Sequence, residues 1–480
     1  MRLFRPSFSS TGPLALALVL GPGLAGAGSE GADVTSPAAD RELARAVFQE
    51  LIEINTTDST GDCTRAAKAM ESRLVKAGLP SADVQVLGPD PRKGNLVARL
   101  RGTGKRKPLL LLAHLDVVEA RRDDWSFDPF VFREEGGYFY GRGTSDDKAM
   151  AAIFVANLAR YLREGAKPER DIVLALTADE EGGRFNGVDW LFKNHRDLVD
   201  AEFGLNEGGG GEMRQGRRVA NTVQASEKVF QSFVLEVKNP GGHSSLPVPD
   251  NAIYRLAEGL TRLARYRFPV RLNPVTRLFF ERSAATVPEP EASDRRAVAK
   301  DPPDAAAADR LSALAYLNAR LRTTCVPTLL SGGHAENALP QTARATVNCR
   351  MLPDDRPEDV KAAIVAALAD DKISVTPVQP AKPSPPSPPS AAILRPIERV
   401  TAQMWPGVPV IPTMSTGATD SLFARAAGVP VYGVDGIFDD VDDVRAHGRD
   451  ERLPVQSFYE GQEFLYRLVK AFASGEGVAR

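Results

Sequence analysis

The chain has 480 residues, too many for one ordinary core, and its 43% hydrophobic and 25% charged residues are those of a globular protein. A net charge of −2 excludes the clustered cationic excess of a nucleic-acid or membrane-surface binder. Three cysteines, Cys63, Cys325 and Cys349, exclude a disulfide scaffold, while one bridge stays open and the sequence does not choose its pair.

Taken in chain order, Arg2 and Arg5 come first, followed by the short apolar run Leu14 to Leu20 and the small-residue site Ala25-Gly26-Ala27. This order predicts a secretory signal peptide over residues 1–27, cleaved after about Ala27. The apolar run is too short to span a bilayer. Helical periodicity begins with Leu43, Val47, Leu51 and Ile52. A second amphipathic helix fits Thr64 to Ala77, ended by Gly78 and Pro80. Val84 to Leu87, Leu96 to Leu100 and Leu109 to Leu112 then read as strands. The last lies in PLLLLAHLD, a nearly unbroken apolar run that suits a strand buried on both faces. Asp146 to Arg163 reads as a helix, and Ile172 to Thr177 and Phe203 to Leu205 as further strands. Strands alternating with helices predict an α/β layer architecture.

The middle of the chain has a different pattern. Val229 to Val237 and Ala343 to Cys349 alternate like half-buried antiparallel strands. Helical stretches surround Ala252 to Arg265 and Asp309 to Leu321, and Ala284 to Ala308 reads as an inserted loop. A helix at Glu358 to Ala369 and a strand at Lys372 to Val378 follow. Pro380 to Ser390, PAKPSPPSPPS, reads as a stiff extended linker, after which ILRPIERVTAQMW returns to α/β character. The predicted fold is therefore α/β, with a discontinuous catalytic domain (37–224 and 391–480) around a mostly parallel sheet. An α+β domain, 225–380, is inserted into it.

Of five histidines, three lie in polar, glycine-bearing contexts: His114 in AHLD, His243 in NPGGHSS and His447 in AHGRDER. A lone histidine at a strand end is usually structural, so the argument rests on its neighbours. Those neighbours are acidic. Asp146 lies in YGRGTSDDK, Glu180 and Glu181 in TADEEGG, and Glu207 in LNEGGGG. His114, the Glu180–Glu181 pair and Glu207 each follow a predicted strand, and ligands of open α/β sheets gather at the carboxyl ends of strands. Carboxylates brought together without cations repel and shift to neutral forms. Divalent metals remove that conflict, and imidazole with carboxylate suits Zn²⁺ or, less strongly, Mn²⁺ or Co²⁺.

In this order HLDVV, YGRGTSDDK, ADEEGG, NEGG, GGHSS, NALP, STGATD and HGRDE resemble the M20 metallopeptidases: carboxypeptidases, aminoacylases, deacylases and dipeptidases. The resemblance covers nearly the whole mature chain and implies a di-metal hydrolase, with two Zn²⁺ (alternatively Co²⁺ or Mn²⁺). It implies that His114 and Glu207 bind one metal, that His447 and Glu181 bind the other, and that Asp146 bridges both. Glu180 becomes the general base, Asp116 the partner that fixes the His114 tautomer, and Asp146–Asp147 a cis peptide. His243 becomes the oxyanion donor, often supplied by the partner subunit of a homodimer built on the inserted lid/dimerisation domain. Asn337, Arg350 and Gly417 become substrate contacts. The expected substrate is a short peptide cleaved next to its C-terminal amino acid, with an N-acyl amino acid as the alternative. A non-catalytic metal-stabilised binding protein is a further alternative, against which Glu180 argues because metal binding does not need it. No nucleic-acid partner and no membrane span in the mature chain are expected.

Overall fold

The apolar runs of the first half assemble into one ten-stranded sheet. A computed structural model describes residues 35–474, so the segment read as a signal peptide lies outside the described residues. Along the sheet the strands run Val84–Leu87, Asn95–Leu100, Ile172–Thr177, Leu109–His114, Phe203–Asn206, Val431–Gly433, Arg217–Glu227, Gly211–Arg214 and Phe438–Asp440. Val410–Ser415 pairs with Arg217–Glu227. Leu109–His114 lies parallel to Ile172–Thr177 on one side and to Phe203–Asn206 on the other. Every residue of Leu109–His114 and Ile172–Thr177 is buried, as strands covered by helices on both faces require. On one face Leu110, Leu112, Val173 and Ala175 meet Val188, Leu191 and Phe192 of the Gly187–Asn194 helix. The buried helix Lys148–Arg163 packs against Leu109–His114 and also meets the helices Ala38–Glu53 and Val455–Ala473. Among the described residues no helix is long and apolar enough to cross a membrane.

A second sheet is wholly antiparallel, in the order Thr324–Gly332, Thr342–Met351, Val229–Lys238, Ile373–Pro377. Thr342–Met351 alternates buried and more open residues, the period-two pattern of a sheet covered on one side. Leu256 and Leu263 of helix Ala252–Arg265, with Ile364 and Leu368 of helix Pro357–Leu368, bury Phe233, Leu235 and Val347. Cys325 and Cys349 stand opposite one another on neighbouring strands and form a disulfide, leaving Cys63 as a buried thiol. The chain enters this sheet directly from strand Arg217–Glu227 through Lys228.

Three sequence expectations need correction. Ala284 to Ala308 is largely helical, with helices Glu291–Val298 and Ala305–Leu311, and the stretch read as one helix from Asp309 is broken before Ala315–Leu321. These helices bury Val298, Ala307, Ala308, Leu311, Leu317 and Leu321 against Phe279 and Phe280. The proline-rich tract has no regular secondary structure but is fastened to the sheet. The Ser384 hydroxyl donates to Glu227 at 2.6 Å, and the Ser387 hydroxyl to the Val431 carbonyl at 2.8 Å. It is a packed strap, not a spacer.

Candidate active site

Three adjacent parallel strands end at one edge of the large sheet and deliver His114, the Ala178–Glu181 turn and Glu207 to it. Asp146 arrives from the loop before helix Lys148–Arg163, and its peptide to Asp147 is cis. The Glu207 loop must be glycine-rich, because a Cβ at Gly209 would lie 2.5 Å from the Gly433 carbonyl oxygen. His447 comes from the far end of the chain with φ +61°, a left-handed conformation that costs a non-glycine residue about 1 kcal/mol. Such backbone persists where the surroundings fix it, commonly at functional sites.

The Asp146 carboxylate lies between the two histidines. Its Oδ1 is 3.0 Å from His114 Nε2, and its Oδ2 is 3.0 Å from His447 Nε2. His447 Nε2 is also 2.8 Å from Glu181 Oε1. One ligand atom each from His114, Asp146 and Glu181 lies within 4.8 Å of the others. His114 Nδ1 is 2.9 Å from the Asp116 carbonyl oxygen, which can only accept, so Nδ1 carries the proton. A neutral His114 therefore aims the Nε2 lone pair at a carboxylate oxygen. Two acceptors facing each other at this distance need a proton or a metal cation between them. The donor set of imidazole nitrogens and carboxylates fits a pair of divalent metals with one bridging carboxylate.

The electrostatics agree with that fit. Burial opposes the charged form of His114, but its bond to Asp146 and the charges of Asp146, Asp116 and Glu180 outweigh it and hold the pKa well above the ordinary value. His447 is raised to about 9 by its bond to Asp146 and the nearby Glu181. Burial would raise Asp146, yet its two histidine bonds pull it below the usual range. Burial, then the charges of Asp420, Glu207 and Glu181, raise Glu180 to about 10. Burial and Asp146 raise Glu181 to about 7, and burial with Asp146 and Asp147 lifts Glu207 well above its ordinary value. Without cations this cluster holds more negative charge than it can keep ionised.

Asp116 meets His114 through its backbone and the acid loop through its side chain. Its backbone carbonyl fixes the His114 tautomer, while its carboxylate lies 3.7 Å from Nδ1 and accepts from the Glu180 and Glu181 amides at 3.1 and 2.9 Å. Gly417 lines the same cavity of about 790 Å³ as Asp146 and Glu207. His243 and Asn337 lie at a two-stranded ribbon and Arg350 on strand Thr342–Met351, and among the described residues none of them is hydrogen-bonded or ion-paired to the carboxylate cluster. His243 lies exposed in a two-stranded ribbon, its Nδ1 accepting from the Ser245 amide, and the adjacent Asn337 carbonyl accepts from the Ser244 amide. Arg350 is half-buried with its guanidinium 5.1 Å from the Phe230 ring centre.

One residue of the site was missed in the sequence. Glu451 is fully buried; it accepts from Arg142 at 2.6 Å and from the amides of Gly143, Ser145 and Asp146 at 3.0, 2.7 and 3.2 Å. It fixes the loop that carries Asp146. The signal was the final letter of HGRDE, four residues beyond His447.

A model of peptidase family M20/M25/M40 matches residues 110–471. Among curated proteins, the chain is 29% identical over 374 residues to a probable carboxypeptidase S-like 2 of Dictyostelium discoideum, covering 76% of this chain and 71% of that one. It is 27% identical over 385 residues to the human N-fatty-acyl-amino acid synthase/hydrolase PM20D1, covering 76% and 74%. Among solved structures, the M20 family metallo-carboxypeptidase Sso-CP2 of Sulfolobus solfataricus shares the fold with a TM-score of 0.62 at 18% identity, covering 90% of this chain and 99% of that one.

Proposed function

Because this chain belongs to peptidase family M20/M25/M40, we propose that it is a metal-dependent hydrolase cleaving the amide bond beside a C-terminal amino acid in short peptides. One observation carries the reading: the Asp146 carboxylate offers one oxygen to each of two histidine Nε2 atoms, with Glu180 close enough to act on His114 by charge but bonded to neither histidine. In this reading His114 and Glu207 hold one metal, His447 and Glu181 the other, and Asp146 both. Zn²⁺ is the favoured ion, with Co²⁺ or Mn²⁺ as alternatives. When bound, the metals supply a polarised scissile carbonyl and an acidified water. Glu180 takes the proton of the attacking water and passes it to the leaving amine. Its neighbour Glu181 is committed to the His447 side of the cluster, which leaves Glu180 alone able to do so.

Gly417 supplies pocket wall, and Asn337, Arg350 and His243 approach substrate from the inserted segment, which we assign to 225–380 between catalytic portions 37–224 and 391–480. His243, exposed and away from the cluster within its own chain, suits action from a partner subunit. A homodimer is supported by the edge strand Thr324–Gly332, whose Val326, Leu329 and Leu330 are 55%, 68% and 71% exposed. An exposed apolar edge strand is a template for pairing with another chain. Export is supported by the cationic and apolar pattern before Ala27 and by the Cys325–Cys349 disulfide, which needs an oxidising compartment.

The match to an N-fatty-acyl-amino acid synthase/hydrolase favours a second reading with the same chemistry, cleavage of N-acyl amino acids. A panel of dipeptides and N-acyl amino acids, assayed after chelation and reconstitution with Zn²⁺, Mn²⁺ or Co²⁺, separates the two. Glu180→Gln tests the core claim: turnover is expected to fall by a factor of about 10² or more with bound metal unchanged. Turnover that survives, or metal lost with it, overturns the role of Glu180.

A further inference from the structure

Beyond the catalytic cavity lies a second one of about 330 Å³, and the two share Glu212, Thr222 and Val441 as walls. Its far side is built by the helices on either side of the stretch that the sequence read as loop. Arg320 and Tyr316 come from helix Ala315–Leu321 and Phe279 from helix Pro274–Ser283. Ile411 and Val219 complete an apolar wall. Three arginines face this space, and two are matched. Arg295 pairs with Glu291 at 2.5 Å, and Arg214 lies 3.7 Å from Asp442. Arg320 is not matched: among the described residues no carboxylate lies within ion-pair distance of it. Its Nη1 donates to the Tyr316 carbonyl at 3.0 Å and its Nη2 reaches Thr413 Oγ1 at 3.5 Å, while its buried Nε has no partner. The guanidinium stands 4.8 Å from the centre of the Phe279 ring, which holds it in place.

We propose that this second cavity is a distal substrate subsite, taking a segment that is apolar along its length and ends in a carboxylate bound by Arg320. The inference rests on the hydrolase reading above and names what that substrate carries away from the scissile bond. A fixed guanidinium fork that no carboxylate of the described residues meets at ion-pair distance can take a ligand carboxylate, and aromatic and aliphatic walls favour the methylenes leading to it. Glu212, on the shared wall, lies near enough to act on Arg320 by charge but makes no ion-pair contact with it, and burial raises its pKa against that charge. No other cation is needed: the two paired arginines shape the rim.

The test compares N-adipoyl-leucine with N-hexanoyl-leucine, acyl groups of the same length that differ in a terminal carboxylate. On the metal-reconstituted full chain, the adipoyl compound should show a KM about tenfold lower or better, the worth of one charge-assisted bond in a partly dry cavity. In Arg320→Gln the ratio of the two KM values should fall to about one, and Arg320→Lys should keep part of it. Calorimetric Kd values in a Glu180→Gln background give the same ratio without turnover. If neither compound is hydrolysed, the hydrolase reading fails for N-acyl amino acids, while the Kd ratio still decides the role of Arg320. Equal affinity of both compounds for the parent protein, or a preference that survives Arg320→Gln, overturns the subsite.

Discussion

Asp116 Oδ2 accepts the backbone amide of Glu181 at 2.9 Å, so the residue two places beyond His114 also sets the position of the acid loop on the next strand. Its Oδ1 accepts the Glu180 amide at 3.1 Å. One buried carboxylate thus ties together the ends of two parallel strands, and the direction of both glutamates depends on it. The His114 ring is oriented by the same residue through its backbone carbonyl, which any side chain at position 116 would still provide.

That separation of backbone and side-chain roles makes a prediction. Asp116→Ala leaves the His114 Nδ1 bond in place but strips two amides of their acceptor. Each unsatisfied buried donor costs about 1–3 kcal/mol. The variant should lose about 2 kcal/mol of stability or more in denaturant unfolding, and kcat should fall further than metal content does. Metal lost in proportion to activity would mean that the carboxylate serves His114 and not the loop.

Glu451 carries a heavier structural load. Replacing it with Gln removes the counter-charge of Arg142, itself 3% exposed, and turns an amide NH₂ toward backbone donors. Breaking a buried ion pair in this way costs about 3–5 kcal/mol. Glu451→Gln should therefore melt markedly earlier and bind less metal, because the Ser145 and Asp146 amides lose their anchor. A variant with the parent's melting temperature and full metal content would contradict this account.

The large sheet was legible because its strands are apolar runs of the right length, bounded by glycine, proline or polar residues; Leu109–His114 and Ile172–Thr177 needed no other cue. The residues at strand ends were legible by chemistry, since four acids and two histidines at one sheet edge have few other uses. The segment after Ser283 was not. Its helices are short and rich in alanine and charge, and Arg295 is buried by its i,i+4 partner Glu291 and by the Tyr316 hydroxyl, which hydropathy cannot register. The amide contacts of Asp116, and Glu451 altogether, were obscure for a related reason. The two side chains satisfy backbone amides 64 and 65 residues away for Asp116 and 305 to 308 residues away for Glu451, and such bonds exist only once the topology has formed.

Chelation should expose the charge crowding of the site. In the metal-free protein Glu181 titrates at about 7, Glu180 at about 10 and His447 at about 9, each above its value in the unfolded chain. The native state then holds protons that the unfolded state has released, so stability falls as pH rises from about 5 to about 10. Asp146 has the opposite sign, and its contribution is lost only in acid, below the ordinary aspartate range. Metal displaces these protons, and at a thousandfold excess over its Kd it adds about 4 kcal/mol. Melting curves in chelator and in zinc should therefore diverge as pH rises from 5.5 to 8.5. Parallel curves would show that the acids are not the metal's ligands.

The edge strand Thr324–Gly332 offers a prediction that bears on His243. Leu329 and Leu330 are 68% and 71% exposed on a strand whose outer edge pairs with nothing among the described residues. Water on that much apolar surface is unfavourable by roughly 25 cal/mol per Å², and a second copy could cover it while completing the backbone ladder. Leu330→Glu places a charge there and should convert a dimer to a monomer in sedimentation at micromolar concentration. The monomer should fold and bind metal, because position 330 is remote in contacts from the cluster. If His243 acts across the interface, the monomer's kcat should drop to the level of His243→Ala, and the two substitutions together should cost no more than either alone. Additive losses would place His243 within its own chain's site, or outside catalysis altogether.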